Sequence, residues 1–319
     1  MADLHGIYQE LGLAGIVPHA IRDKSQGRQL LIEHIREGDS LFLIRTGMNV
    51  PFITVKDDTY QSLTYTSFED AERKKQELVM SHFDVYVETM PGDDGRSSAL
   101  QWIFDHGPTS ILLDDSISIP IGQLTEVPTY DGQPNEEHLL RNRALNGAIY
   151  YFLQIAAAQM SNPEAERAWA KKMVSSSFLV LAEDNPAENY PVLAVYSGGK
   201  PCALVYSDWR QVCMDFEERP VGITYSFDEL EDLLRANPGL TLLLNPATCH
   251  MVIDLNLLNL IRQIEAGTYA GTIMPAVHEE GTGLLPSPKY QRRIGIKWTL
   301  HQAGSNKTEH TAQATCCSI

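Results

Sequence analysis

The sequence predicts an α+β fold in which two tandem copies of a small sheet-and-helix domain are joined by a helical segment. Three observations predict it. The same order of elements runs twice along the chain. The third strand of each copy, Ser62-Leu-Thr-Tyr-Thr-Ser67 and Ala203-Leu-Val-Tyr-Ser-Asp208, matches without a gap. Proline and tyrosine recur at equivalent places, as Pro51 with Pro191, Tyr65 with Tyr206 and Pro108 with Pro238. A repeated order of elements is the signature of a duplicated unit.

Residues 1–27 read as a helical extension, with Leu4, Ile7, Tyr8 and Leu11 on one face of Met1 to Ala14. The first domain, 28–134, opens with a helix over Arg28 to Arg36 and a strand at Leu41 to Arg45. Proline then starts a second strand, Val50 to Val55, where a missing N–H does least harm. Asp57-Asp58 are hairpin-turn residues. Thr66 or Ser67 caps a helix over Phe68 to Leu78, since their hydroxyls accept an orphan N–H. A short strand, Val85 to Val87, a loop, Pro91 to Ser98, a helix, Ser98 to Asp105, and a closing strand, Ile111 to Leu113, complete the copy.

The second domain, 135–267, has leading helices. Glu136 to Met160 reads as one helix, with apolar Leu139, Leu140, Leu145, Ile149, Phe152, Leu153 and Ala156 at three- and four-residue spacing. Pro163 to Val174 is a second helix with proline in its first turn. Strands follow at Phe178 to Ala182, Tyr190 to Val195 and Ala203 to Asp208, with a turn at Ser197-Gly198-Gly199. A helix from Trp209, a strand at Val221 to Ile223, a helix over Phe227 to Ala236 and a strand at Thr241 to Leu244 repeat the first copy's order. Ile253 to Ala266 reads as a helix ending at Gly267, a C-cap residue. Copies are offset by 141 positions across the third strand and by 130 across Leu100/Leu230, so the first carries 11 more residues between Phe68 and Leu100. About half of these are assigned to the loop Pro91 to Ser98. Residues 268–300 form an extension with a late strand over Arg293 to Leu300, and the polar tail 301–319 is expected to be disordered.

Composition narrows the function. Of 319 residues, 25 are Lys or Arg and 41 are Asp or Glu, a net charge of -16 that repels polyanions. Nucleic acid and membrane are therefore not expected as partners. Met1 to Ala20 lacks a basic stretch and a continuous apolar run, so no secretory signal is expected. Five cysteines without a Cys-x-x-Cys spacing argue against a disulfide framework, and the cytoplasm is the expected compartment.

Residues 203 to 209, Ala-Leu-Val-Tyr-Ser-Asp-Trp, together with Leu230 to Leu234, Leu242-Leu-Leu-Asn-Pro246 and Ile253-Asp-Leu255, carry a resemblance. They resemble the SseB-type domain, the N-terminal domain of the bacterial enhanced serine sensitivity protein family. The second copy, about 178–266, is similar along its length. The first, about 41–124, is similar more loosely, with Asp114-Asp115 where Asn245-Pro246 stand. The resemblance implies an intracellular α+β domain without an established enzymatic activity or cofactor, and no catalytic residue follows from it.

No motif supplies chemistry. Gly198-Gly199-Lys200 and Gly281-Thr-Gly283 lack phosphate-loop spacing and read as turns. His278-Glu279-Glu280 has no second histidine at zincin spacing, and Asp114-Asp115 lack the alternating carboxylates of a calcium loop. There is no Gly-x-Ser-x-Gly elbow. Cys202 and Cys213, in or beside the third strand and its helix, read as buried small hydrophobes. Catalytic residues, metal and cofactor are thus assigned as none, and the chain is not expected to be an enzyme. The expected function is binding of another protein or a peptide, with edge strands as one route. The alternative is a small-molecule sensor with a pocket between or within the copies. Trp209, Tyr206 and Asn245 are the binding candidates, with core packing as the competing role for both aromatics.

Overall fold

The computed structural model describes residues 26–37, 40–90, 92–128, 139–184, 191–197, 199–218 and 220–269. The expected helix at Met1 to Ala14, the late strand at Arg293 to Leu300 and the tail 301–319 lie outside them. The fold is α+β and has two six-stranded mixed sheets. The described residues up to 128, with Tyr150–Met160, pack as one unit. Residues 139–149 and those from Ser161 to Tyr269 pack as the other.

In the first unit, α1 (Gln26–Glu37) precedes β1 (Leu41–Thr46), β2 (Ile53–Lys56) and β3 (Thr59–Tyr65). Then come α2 (Phe68–Met80), β4 (Val85–Met90), α3 (Asp93–Asp105), β5 (Ser110–Leu113) and β6 (Ile117–Pro120). The sheet order is β4-β1-β3-β5-β6, with β2 beside β3, and only β3 and β5 run parallel. Asp57 and Asp58, with φ of 50 and 57°, make the two-residue turn that matches strand twist between β2 and β3. α4 (Arg143–Ala157) is shared between the units.

The second unit has α5 (Pro163–Ser175), β7 (Ser177–Ala182), β8 (Ala194–Ser197) and β9 (Lys200–Tyr206). After these come α6 (Trp209–Asp215), β10 (Val221–Ser226), α7 (Phe227–Ala236), β11 (Thr241–Leu244), β12 (Met251–Ile253) and α8 (Leu255–Glu265). Its order, β10-β7-β9-β11-β12 with β8 beside β9, repeats the first sheet. Phe42 pairs with Tyr65 as Leu179 pairs with Tyr206. The two-residue side-chain period then sets the faces. Phe42, Ile44, Leu63, Tyr65 and Leu112 lie under Ala71 of α2. Their counterparts Leu179, Leu181, Leu204, Tyr206 and Leu243 lie under Val212 of α6. On the opposite face of the first sheet, Leu41, Leu43, Ile111 and Leu113 meet Leu31 and Ile35 of α1 and Leu100 and Ile103 of α3. Each such side chain contributes roughly 1.5–3 kcal/mol when fully buried.

Several sequence expectations are corrected. The Pro91 to Ser98 loop is mostly helix, because α3 starts at Asp93 and the Arg96 guanidinium is buried where it donates to the Ile35 carbonyl at 2.6 Å. The first copy's extra residues thus lengthen helices, α2 having 13 residues against 7 in α6 and α3 having 13 against 10 in α7. The long helix expected from Glu136 is found from Arg143, Glu136 itself lying outside the described residues. Leu139 to Asn142 are not helical, and the buried Asn142 amide instead donates to the Ser177 and Ser207 carbonyls. Ile253 closes β12 and Asp254 caps α8, accepting from Leu257 N–H, so that helix starts at Leu255. Each copy is closed by a further strand, β6 or β12, and Ser110 stands where Thr241 does, an offset of 131. Cys213 is exposed, not buried.

Candidate functional site

The residues singled out from sequence separate in the structure. Tyr206 is fully buried, and its hydroxyl donates to Asp215 Oδ2 at 2.8 Å. That bond stabilises the Asp215 carboxylate, yet burial of the carboxyl raises its pKa on balance. Asn245, also buried, has φ 44° and holds a turn: its Oδ1 accepts from Ser207 N–H at 2.9 Å and its Nδ2 donates to Ser207 Oγ at 2.9 Å. Asn146 Nδ2 donates to Asp208 Oδ2 at 2.8 Å and closes this buried polar cluster. Both roles are structural, because a buried polar group left without its partner costs about 1–3 kcal/mol. The first copy builds the same clasp with Asp114, φ 48°, accepting from Thr66 N–H and Oγ1 at 2.9 Å.

Trp209 alone reaches a surface feature. Asp208 caps α6, accepting from Gln211 N–H at 3.0 Å, and this fixes Trp209 in the first turn. Its half-buried ring lies over Gly222 of β10. A Cβ there would stand 2.8 Å from Trp209 Cη2, so only glycine lets the ring approach this strand.

β10 is an edge strand, and its sequence is unusual for one. An edge presents unpaired N–H and C=O groups, which proteins blunt with charge, proline, brevity or a covering element. The other edges are blunted in these ways. In the first unit, β4 carries Glu88, which accepts from Arg45, and Tyr86, whose hydroxyl donates to Asn49 Oδ1 at 2.7 Å. β6 is four residues long, ends in Pro120, and has its Ser118 carbonyl bonded by Arg28 at 3.2 Å. At β2, the Gln154 side-chain amide both accepts from and donates to the Ile53 backbone, as a neighbouring strand would. In the second unit, β12 has three residues and β8, which like β10 carries no charge, has four.

β10 runs Val221-Gly-Ile-Thr-Tyr-Ser226, with no charge and no proline, and pairs with β7 throughout from Val221↔Ala182 to Ser226↔Ser177. Among the described residues no strand pairs with its outer side, and Val221 to Thr224 are half-buried. Strand order, which decides that β10 is an edge, is not readable from the strand itself. Only its lack of charge could have marked it.

A second feature belongs to the first unit. The Arg45 guanidinium lies over Trp102 at 4.3 Å, and the His106 ring is tilted against the same indole at 4.4 Å and against Tyr150 at 5.5 Å. His106 Nδ1 donates to the Trp102 carbonyl at 2.7 Å, leaving Nε2 as a buried acceptor without a partner. Burial, reinforced by the Arg45 charge and opposed by that hydrogen bond, pushes the His106 pKa down to about 4. Ser62 Oγ, Thr64 Oγ1 and Arg45 Nε are likewise buried without partners.

Among the described residues no group of three or more His, Cys, Asp or Glu could hold a metal ion, and no helix is long and apolar enough to cross a membrane. The Cys249 sulfur faces inward, donating to the Leu244 carbonyl at 3.2 Å, and burial pushes its pKa up to about 12, which keeps the thiol protonated.

No family model and no curated protein matches the chain. Among solved structures it is similar to Tic22 from Plasmodium falciparum at 12% identity and a TM-score of 0.17, over 75% of this chain and 99% of that one. It is similar to Anabaena Tic22, a protein of protein transport, at 12% identity and a TM-score of 0.17, over 66% and 90%. Likenesses of that size carry no argument about this chain.

Proposed function

We propose that the chain is a non-enzymatic module of the bacterial cytoplasm, a duplicated SseB-type domain, that binds another protein by taking an extended segment of it as a strand beside β10. The observation that carries the reading is an uncharged six-residue edge strand where, among the described residues, the other edges are short, charged or covered. Main-chain hydrogen bonds supply affinity in such complexes, and alternate side chains supply specificity. The test is amide hydrogen exchange of the full chain with a neutral peptide alternating valine and threonine. Protection confined to Val221–Ser226, and lost in Ile223→Lys, supports the reading. Protection elsewhere, or none, overturns it.

A sensor of a small polar molecule within the first copy is the second reading. It is favoured by five buried atoms of this copy without partners, His106 Nε2, Gln61 Oε1, Ser62 Oγ, Thr64 Oγ1 and Arg45 Nε, since buried polar groups are normally satisfied. Mass spectrometry of what denaturation releases from the purified chain decides it. A stoichiometric small molecule supports it, and none overturns it.

A further inference from the structure

The groups around β10 narrow what the added segment can be. Because Val221 pairs with Ala182, the residues that follow β7, Glu183-Asp184, and those that precede β10, Glu217-Glu218, both belong to the Val221 end of the edge. All four carboxylates are exposed. The sequence sets one cation, Arg219, among them, which leaves an acidic end to the edge. That end is of the same sign as the whole chain, at -16, so attraction of a cationic segment acts both at contact and over the Debye length, about 8 Å at physiological salt.

The two faces of the edge also differ. On one, Val221, Ile223 and Tyr225 line up with Ala182, Val180 and Phe178. On the other, Gly222 provides no side chain and the Trp209 ring stands over it. A strand added at the usual spacing of about 4.8 Å places one of its side chains beside that ring. A bulky apolar group fits there, because it exchanges water for an aromatic face at a position, Gly222, that offers no competing side chain.

Resting on the strand-addition reading, we infer that the partner of β10 is an extended segment with basic residues at the end that lies by Glu183, Asp184, Glu217 and Glu218 and a bulky apolar residue against Trp209. The experiment uses the full chain and fluorescent peptides of alternating valine and threonine flanked at both ends by lysine, glutamate or threonine, with phenylalanine or alanine at the central apolar position. Anisotropy is read at low and physiological ionic strength.

The lysine peptide with phenylalanine is expected to bind best, about fivefold tighter than the threonine peptide and more than that over the glutamate peptide. The preference is expected to shrink with salt and to vanish in a variant carrying Glu183→Gln, Asp184→Asn, Glu217→Gln and Glu218→Gln, positions whose exposure spares the fold. Replacing phenylalanine by alanine should weaken binding severalfold, on the order of the loss of a buried aromatic contact. If every peptide binds equally and Ile223→Lys abolishes all binding, strand addition stands and the inference falls. It falls as well if the lysine preference survives the neutralised variant. If no peptide binds, or Ile223→Lys changes nothing, strand addition itself falls and takes the inference with it.

Discussion

β4 and β10 hold the same place in two copies of one sheet, yet the residue pairing with Leu43 in β4 is Glu88, and the residue pairing with the equivalent Val180 in β10 is Ile223. One edge carries a carboxylate bound to Arg45 across the strand, whereas the other carries an aliphatic side chain with no charge in the strand at all. The clasps differ in the opposite sense. Asp114 in the first copy stands at a half-exposed turn where Thr66 is half-buried too, whereas Asn245 and Ser207 are buried with Asn142, Asn146 and Asp208 around them. The difference teaches that duplication preserved the hydrogen-bonding frame and let the surface diverge. The copy with the closed clasp is the one with the open edge.

The largest effect expected is at the clasp. Asn245→Asp places a carboxylate among buried groups with Asp208 nearby and removes the Nδ2 donor to Ser207, and should cost about 3 kcal/mol or more at neutral pH in urea unfolding. Because burial raises the new carboxyl's folded pKa, part of the loss should be regained as pH falls through it. Asp114→Asn in the first copy should change stability by about 1 kcal/mol or less, since the site is partly solvated. Equal losses at both positions would remove the contrast between the clasps.

Acid should separate the copies next. His106 has a folded pKa of about 4 against an ordinary 6.5, so the unfolded chain takes up a proton that the folded one refuses. Its contribution is therefore complete above 6.5 and is lost as pH falls from there to about 4, in total on the order of 3 kcal/mol. Hydrogen exchange across that window should show earlier opening of α3 and β5 than of α7 and β11. His106→Gln should flatten the dependence, and an unchanged slope in that variant would assign the acid sensitivity to other groups.

A small effect on stability is expected from Glu88→Ile, about 1 kcal/mol or less, because the pair it breaks is half-exposed on the glutamate side. Its value lies in the readout: the exchange should make β4 an acceptor of the same neutral peptide that β10 takes. A β4 that stays inert would mean that charge is not what separates the two edges.

Much of this fold was legible in the sequence, because strand and helix periods report on local backbone and the copies reinforce each other. Tyr65 with Tyr206 and Asp57-Asp58 sit where their residue types require. The rest depended on partners far along the chain. Pro91 to Ser98 has a turn composition, but Arg96 finds the Ile35 carbonyl 61 positions away, and the segment winds into helix. Leu139 and Leu140 fit a helical stripe, but the Asn142 amide has backbone carbonyls to bond at Ser177 and Ser207, and the helix starts after it. Of the candidates, Trp209 lies at the edge, whereas Tyr206 and Asn245 belong to the interior. Glu88 and Ile223 carry no such mark in the sequence, since being an edge is a property of strand order.

Gln154 carries a last consequence. Its side-chain amide completes the ladder at Ile53, and unlike a real strand it has no second side on which a further strand could build. Open-ended polymers need two complementary surfaces per molecule, and here one edge is terminated by a side chain, another by an ion pair, and β6, β8 and β12 have four residues or fewer. Association through β10 should therefore stop at a one-to-one complex or a closed pair, and concentrated solutions should yield discrete species and no fibres.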